Sequence, residues 1–412
     1  MSFDQLWGEL LPVGRFPASG GYRRYSWTPV DAECRAWFVA AATGLGLDVE
    51  TDRNGNLWAW WGRPGPEAVV TGSHLDSVPD GGAFDGPLGV VSALAAIAEL
   101  KSRGVTPVKP IAVVSFVEEE GARFGLPCLG SRLLTGATDP TLARNLRDPD
   151  GVTWAAAFEA AGHDPATIGP DPDRLAQIGV FVELHVEQGR GLVDAGAPVG
   201  VASAIWPHGR WRFEFQGEAN HAGTTRLVDR RDPMLTFAQT VLSARDAAAA
   251  AGALATFGRV AVEPNGTNAI ASLVKAWLDS RGPDVAALTN LVEQVTAAAA
   301  ERGDRDGVKV TIVPESYTPV VEFAGDLRDR LAGVVGAGTP VLPTGAGHDA
   351  GVLAASVPTA MLFVRNPTGL SHAPGEYASP DDCHTGVTTL ATVLAELATV
   401  PATGETSNGA TT

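Results

Sequence analysis

Short apolar stretches rich in β-branched residues alternate along this chain with longer stretches rich in alanine and leucine. Residues 68–71, 111–117, 180–186 and 360–364 have the composition of buried strands. Residues 89–100 have the composition of a buried helix and are too few to cross a bilayer. Strands that alternate with helices predict an α/β fold with a mixed, largely parallel sheet flanked by helices.

A middle segment has a different pattern. The sequences WRFEFQG, TFGRVAVEP and VKAWLDSR alternate polar and apolar residues as half-exposed strands do, and residues 233–250 form a long helical stretch. We therefore predict a catalytic domain in two segments, 1–207 and 318–412, interrupted by an α+β domain at 208–317. The small, polar residues of the tail, 401–412, predict disorder.

Length and composition agree with two globular domains. The chain has 412 residues, of which 45% are hydrophobic and 19% charged, so it can bury a large core. Lys and Arg total 30 against 47 for Asp and Glu, which gives a net charge of −17. Such a charge repels nucleic acids and anionic membranes on average, so neither is an expected partner.

The cysteines and the N-terminus predict a cytoplasmic protein. Cys34, Cys128 and Cys383 form no CxxC pair and are odd in number, which is typical of a reducing compartment. Asp4 and Glu9 stand where a signal peptide has a basic start and an apolar stretch. No export signal is therefore expected.

Side chains that can bind metal ions follow four of the predicted strands. Strand ends are where open α/β sheets keep their sites, so we expect these side chains to converge. A lone histidine or an acidic triplet is more often structural or solvated, but neighbouring carboxylates are costly to bury without cations, and imidazole and carboxylate together suit zinc, manganese, cobalt or nickel. The residues are His74, Asp76, Asp85, Glu118, Glu119, Glu120, His185 and His372.

Motifs of other hydrolase and nucleotide-binding classes are absent from the sequence. It contains no GxSxG, no HExxH and no GxxxxGK[ST], so serine hydrolase, gluzincin and P-loop functions are not supported. His163, His208 and His384 follow no ligand pattern, and we predict structural or exposed positions for them.

Several sequence blocks together resemble one enzyme family over nearly the whole chain. In chain order they are GSHLDSVPDGGAFDGPLGV, EEEGARF, ELHVEQG, GEANHAGTT, PNGTNAI with WLDSR, GAGHDA and SHAPGE. With these blocks the chain resembles the amidase, hydantoinase and carbamoylase branch of the M20 metallopeptidase superfamily. Within that branch, GEANHAGTTRLVDRRDP and NGNLWAWW are most similar to the bacterial allantoate amidohydrolases.

The resemblance implies a centre that holds two divalent metal ions in each subunit. Asp85 matches the carboxylate that bridges both ions. His74 and His185 match the remaining ligands of one ion, and Glu120 and His372 those of the other. Manganese is the favoured metal, with zinc, cobalt or nickel as alternatives.

The resemblance also implies the acid–base chemistry. Glu119 matches the general base, which accepts a proton from the attacking water and later delivers it to the departing nitrogen. The acidic triplet by itself leaves open whether Glu118 takes one of these functions, and the family's spacing favours Glu119 as base. Asp76, two residues after His74, is expected to orient that imidazole through its other nitrogen.

Further positions match substrate-binding residues of the family. His221 resembles an oxyanion donor that the inserted domain of a neighbouring subunit supplies, which implies a homodimer with a dimerisation or lid domain. Asn268 and Arg281 match residues that bind the substrate carboxylate, and Gln188 is a candidate partner of the ureido group.

Three functions remain open from the sequence. The favoured one is hydrolysis of allantoate to ureidoglycine, ammonia and carbon dioxide, and the alternative is hydrolysis of N-carbamoyl-L-amino acids. A metal-free binding protein would have lost ligands, and this chain has lost none. Arg226 and Leu227 replace the Pro-Met of much of the family, which favours a polar substrate, whereas His348 and Asp349 are either substrate contacts or loop scaffold.

Overall fold

The computed structural model describes residues 1–399, so the predicted disorder of residues 401–412 lies outside the described part of the chain. The chain divides into two compact units. The first contains Met1–Ser203 together with the chain from Glu322 onward, and the second contains Ala204–Val321. Among the described residues, no helix is both long and apolar enough to cross a membrane.

Strands and helices alternate through most of the first unit. The strands in the described residues are β1 (Asp48–Thr51), β2 (Leu57–Trp61), β3 (Ala68–His74), β4 (Ile111–Phe116), β5 (Ile178–Val186), β6 (Val199–Ile205), β7 (His208–Gln216), β8 (Asn220–His221), β9 (Leu254–Glu263), β10 (Ala269–Ile270), β11 (Leu273–Arg281), β12 (Lys309–Thr318), β13 (Val321–Glu322), β14 (Val341–Thr344) and β15 (Thr359–Val364).

Two helices, Pro87–Ser102 and Pro233–Ala251, contain the helical stretches predicted at residues 89–100 and 233–250. Within the described residues the helices are α1 (Phe3–Leu10), α2 (Pro29–Gly44), α3 (Pro87–Ser102), α4 (Leu129–Thr135), α5 (Pro140–Asn145), α6 (Trp154–Ala160), α7 (Pro172–Leu175), α8 (Gly191–Asp194), α9 (Pro233–Ala251), α10 (Val285–Asp306), α11 (Gly325–Val335), α12 (Asp349–Leu353) and α13 (Pro380–Thr399), with 3₁₀ turns at Pro165–Thr167 and Leu227–Asp229.

The main sheet has the predicted mixed, largely parallel architecture. Its strand order is β1-β2-β4-β3-β5-β15-β6-β13, with β14 beside β6. The central strands β4, β3, β5 and β15 run parallel to one another, whereas β1, β2 and β6 pair antiparallel with their neighbours. Strands β3, β4 and β15 are buried along their whole length, as expected of strands with helices on both faces.

Alternation along β5 divides the two faces of this sheet. Val182, Leu184 and Val186 belong to the large apolar core that also contains α3 and α13. Glu183 and His185 point to the opposite face, where the backbone N–H of Ala350 in α12 donates to Glu183. The sheet is therefore covered on both faces, and the two buried polar residues of β5, Glu183 and His185, lie on the α12 face.

The second unit is an α+β structure with its own core. Its antiparallel sheet has the order β12-β7-β11-β9, and α9 and α10 pack together against it. Phe213, Phe215, Val274, Leu278 and Leu291 lie in the buried core between sheet and helices. A separate two-stranded ribbon pairs β8 with β10.

Candidate active site

The parallel strands bring the sequence-predicted ligands of the first unit to one edge of the main sheet. His74 is the last residue of β3, and His185 is the last but one of β5. The acidic triplet follows β4 directly, and His372 lies in the loop after β15. The carboxyl ends of parallel strands share an edge, so residues far apart in sequence meet there.

Two groups of side chains that can hold a metal ion share Asp85. In the first group, Asp85 Oδ1 lies 3.2 Å from His185 Nε2 and 3.7 Å from His74 Nε2. In the second, Asp85 Oδ2 lies 3.4 Å from His372 Nε2, which is itself 3.5 Å from Glu120 Oε2. The ligand atoms within each group lie within 4.8 Å of one another. One carboxylate thus presents a different oxygen to each group, as a bridging ligand does.

Backbone carbonyls orient the two buried imidazoles. His74 Nδ1 lies 3.1 Å from the carbonyl oxygen of Asp76, and His185 Nδ1 lies 2.9 Å from that of Val186. A carbonyl only accepts hydrogen bonds, so Nδ1 of each ring carries a proton. The nitrogen that faces Asp85, Nε2, is then the one whose lone pair a metal ion would take.

Asp76 acts on the site in a way that the sequence did not predict. Its backbone carbonyl oxygen lies 3.1 Å from His74 Nδ1, which is within hydrogen-bond distance. Its carboxylate Oδ1 is farther away, at 3.6 Å. The carboxylate instead accepts hydrogen bonds from the backbone N–H groups of Glu119, at 3.2 Å, and Glu120, at 3.0 Å. Asp76 therefore fixes the loop that carries the acidic residues.

The three consecutive glutamates have different surroundings. Glu118 has φ +54° and its Oε1 accepts hydrogen bonds from the backbone N–H groups of Arg123 and Phe124, so it holds the following loop. Glu119 Oε2 lies 3.6 Å from His74 Nε2, and Glu120 Oε2 faces His372. The structure thus separates a loop-holding carboxylate from two that reach the histidines.

The electrostatics of this edge favour bound cations. Burial raises the pKa of Glu119 and of Glu120 well above the ordinary value, and raises that of Glu118 to about 7. Burial also raises the pKa of Asp85, but the neighbouring histidines, His185 first, outweigh it and lower the pKa below its usual range. Divalent ions would hold such buried carboxylates in their ionised form, so this donor set fits a metal centre.

Two further buried carboxylates support the ligands. Glu376 Oε1 accepts a hydrogen bond from the backbone N–H of Asp85 at 2.9 Å. Glu183 accepts one from Ser73 Oγ at 2.7 Å and one from the N–H of Ala350 at 3.0 Å. Neither residue was predicted from the sequence, although a charged residue inside the apolar run of β5 was a usable signal for Glu183.

Gln188 and His348 lie against the metal-binding groups. The Gln188 amide donates to Asp85 Oδ2 at 2.9 Å and to Ser371 Oγ at 3.0 Å. The buried His348 ring packs edge-on against His185, with ring centroids 4.5 Å apart. Asp349 accepts a 2.5 Å hydrogen bond from Ser131 Oγ in α4, which is a scaffold contact.

Three other histidines lie outside both groups. His163 stacks on Phe158, with ring centroids 4.7 Å apart, and His384 pairs with Asp4 near the chain's start. His208 Nδ1 lies 3.1 Å from the carbonyl oxygen of Trp206. These contacts are structural ones.

The second unit carries His221, Asn268 and Arg281. His221 is exposed and pairs with Ala269 in the β8–β10 ribbon, and the Asn268 carbonyl accepts a hydrogen bond from the N–H of Ala222. His221 and Asn268 are therefore neighbours. Arg281 lies at the far end of β11 from the residues that lead to this ribbon, about 26 Å along the strand, and its guanidinium contacts Asp279. Arg281 and Asn268 do not lie side by side within this unit.

Comparison with known proteins defines the family. Residues 70–396 match the family described as Peptidase family M20/M25/M40, and the chain belongs to this family. The predicted family resemblance is thereby confirmed.

Its relatives match over nearly their whole length. An N-carbamoyl-L-amino acid amidohydrolase of Geobacillus stearothermophilus and an allantoate amidohydrolase of Escherichia coli are each 34% identical, over 96% of this chain and 98% of theirs. A crystal structure of an amidase of the hydantoinase/carbamoylase family from Burkholderia multivorans is 30% identical, with a TM-score of 0.84, over 97% of this chain and 98% of that one. The predicted enzyme class, an amidohydrolase for carbon–nitrogen bonds other than peptide bonds, is confirmed by this family and these relatives.

Proposed function

We propose that this enzyme hydrolyses allantoate to ureidoglycine, ammonia and carbon dioxide at a centre of two divalent metal ions. N-carbamoyl-L-amino acids are the alternative substrate class. The observation that carries the metal centre is the shared Asp85, whose two oxygens face two separate groups of ligand atoms. His74, His185 and Asp85 would hold one ion, and Asp85, Glu120 and His372 would hold the other.

Divalent ions bound here would supply Lewis-acid chemistry, which lowers the pKa of water and polarises the substrate oxygen. Manganese is the metal we favour, and zinc, cobalt and nickel suit the same ligands. Glu119 is the proton carrier of the reaction. It accepts a proton from the attacking water and then delivers that proton to the nitrogen that leaves. Its burial favours this cycle, because a buried carboxylate holds a proton more readily than an exposed one.

The substrate is recognised by four polar residues in this proposal. Gln188 binds the ureido group, because its amide nitrogen is held by Asp85 and Ser371 while its buried Oε1 has no hydrogen-bond partner among the described residues. Arg281 and Asn268 bind the substrate carboxylate, and His221 stabilises the developing oxyanion. The wide spacing of Arg281 and the β8–β10 ribbon supports a site in which these residues come from two copies of the chain.

A homodimer follows from this assignment, with residues 208–317 as the dimerisation and lid domain. The cytoplasmic location stays a prediction that the buried, free thiols of Cys34, Cys128 and Cys383 support.

The two relatives with equal identity support different substrates. Arg226 favours allantoate, because it adds a polar, cationic side chain beside the loop of His221. Its guanidinium is exposed and pairs with Asp229 at 2.6 Å. The N-carbamoyl alternative is kept because the amidohydrolase that is named for that substrate is as similar to this chain as the allantoate enzyme is.

A metal-dependent ammonia-release assay tests the proposal. The protein is stripped with a chelator, resupplied with manganese, and offered allantoate beside a set of N-carbamoyl-L-amino acids. We expect turnover of allantoate that depends on added metal. Preference for the carbamoyl amino acids would reassign the substrate, and activity that persists without metal would reject the metal centre.

A further inference from the structure

A cysteine thiol lies directly behind the proposed general base. Cys128 precedes α4, and its Sγ is 3.2 Å from Glu119 Oε1, within the distance at which a thiol donates a hydrogen bond. Both side chains are buried, with 5% of Cys128 and 6% of Glu119 exposed. Water therefore has little access to this carboxylate oxygen, and the thiol is the hydrogen-bond donor beside it.

The backbone of Cys128 is fixed at this position. Its N–H donates to the carbonyl oxygen of Glu119 at 2.7 Å, and its own carbonyl accepts from the N–H of Arg132 at 2.9 Å and from Ser131 Oγ at 3.1 Å. Its φ of +55° is left-handed, a conformation that glycine or asparagine adopts more easily than cysteine. Cys128 and Glu119 are thus joined by two hydrogen bonds, one between their backbones and one between their side chains.

The two oxygens of Glu119 consequently face different surroundings. Oε1 receives the Cys128 thiol, whereas Oε2 lies 3.6 Å from His74 Nε2 on the side of the metal-binding groups. We propose that Cys128 is a positioning residue that donates a hydrogen bond to Glu119 Oε1 and so directs Oε2 toward the reacting water. This inference rests on the proposed function of Glu119 as base.

Two features of Cys128 allow its thiol to donate a hydrogen bond. Burial, and then the carboxylates of Glu119 and Asp349, raise the pKa of Cys128 well above its usual range, so the sulfur keeps its proton. No disulfide involves it, and Cys34 and Cys383 are also free and buried. Those two cysteines are matched controls, because each is a buried thiol that no residue of the metal-binding groups contacts in the described hydrogen bonds.

Infrared spectroscopy of the S–H stretching band tests the hydrogen bond without any need for activity. In a C34A/C383A variant, Cys128 is the only thiol of the chain. We expect its band at lower wavenumber than that of an unbonded thiol, and a shift to higher wavenumber when Glu119→Ala is added. A band at the unbonded position that E119A leaves in place would overturn the proposal. This readout is independent of the substrate, so it still decides the matter if the proposed substrate is wrong.

Steady-state kinetics with the best substrate then test the positioning. We expect C128A to lower kcat about tenfold with KM within about twofold, because the base loses a donor to its charged form. C128S keeps a donor and should recover most of kcat, and C34A and C383A should match wild type. The metal content of each variant is measured alongside, to exclude loss of ligands.

The outcomes separate positioning from packing. If C128S is no more active than C128A while both melt at the wild-type temperature, the hydrogen bond has no function and the proposal fails. Wild-type kcat in C128A would overturn it as well. Recovery by serine together with the infrared shift supports it.

Discussion

The three adjacent glutamates of the acidic triplet make different contacts. Glu118 is held by two backbone N–H groups of the following loop, whereas Glu119 and Glu120 face the histidines. Position along the chain does not distinguish them, but their hydrogen bonds do.

The first residue-scale prediction concerns this triplet. We expect E119Q to lower kcat by about 10²–10⁴-fold, because an amide cannot accept the water's proton. E118Q is the matched control, and it should stay within about threefold of wild-type kcat, since Gln keeps the oxygen that the loop N–H groups need. Steady-state kinetics with metal analysis measure both. A larger loss of kcat in E118Q than in E119Q would reverse our assignment of the base.

The second residue-scale prediction concerns Asp76, whose carboxylate accepts hydrogen bonds from the backbone N–H groups of Glu119 and Glu120. Replacing it by Asn leaves one of those N–H groups facing an amide NH₂, so the loop that carries the Glu120 ligand loses its support. We expect D76N to bind manganese about 10–100-fold more weakly, as measured by metal titration. D80N is the control, because Asp80 pairs with Arg23 and Ser19 at the surface. Equal affinity in D76N and wild type would remove Asp76 from the metal centre.

At the scale of elements, the position of His74 at the end of β3 depends on the close packing of β3 against β4. Gly72 has φ +148°, and a Cβ at this position would overlap the carbonyl oxygen of Val114. Glycine is therefore required at this position, two residues before His74.

The element-scale prediction is that G72A destabilises the protein. The added methyl group must push β3 and β4 apart where both are fully buried, so we expect a loss of about 3 kcal/mol in the free energy of unfolding, or failure to fold. G8A is the control, because Gly8 lies within α1 and its Cβ would meet open space. Alanine there should be neutral or slightly stabilising. Thermal melts compare the two, and an unchanged melting temperature in G72A would contradict the close packing of these strands.

At the scale of the whole molecule, the buried carboxyl groups link stability to pH and to metal. Burial raises the pKa of Glu118 to about 7, and those of Asp349 and Glu376 to about 8. An acid whose pKa is raised by folding binds more protons in the folded state than in the unfolded one. Stability therefore falls as pH rises, from the ordinary carboxyl pKa up to the raised value.

We accordingly expect the melting temperature of the metal-free protein to fall between pH 5 and pH 8, by on the order of 5 °C. Divalent ions should raise it, and more strongly at pH 8 than at pH 5, because they compete with protons for the carboxylate of Glu120, whose pKa burial also raises. Calorimetry with and without manganese measures this. A melting temperature of the metal-free protein that rises over this interval would contradict the raised pKa values.

Much of the fold was predictable from local pattern. The apolar runs at residues 68–71, 111–117, 180–186 and 360–364 are the four parallel strands β3, β4, β5 and β15, because strands buried on both faces need continuous apolar residues. The residues at the ends of those strands predicted the types of metal ligand. The family resemblance then assigned each predicted ligand to one of the two metal ions.

The supporting contacts were not predictable in this way, because they join residues that the sequence keeps far apart. Glu376 reaches the backbone of Asp85 across 291 residues, and Glu183 is joined to Ala350 across 167. One contact between residues that are close in sequence was also not predictable. Cys128 lies nine positions after Glu119, but only the left-handed turn before α4 brings the thiol to the carboxylate.

By itself the sequence determined the α/β architecture and predicted the residue types and chain order of the candidate metal ligands, since periodicity and strand-end chemistry are local properties. The tertiary structure decided which oxygen of Asp85 faces which group, which nitrogen of each buried imidazole faces Asp85, and which two of the three glutamates face the histidines. These depend on distances of about 3 Å between side chains from different elements, and such distances exist only once the strands and loops have packed together.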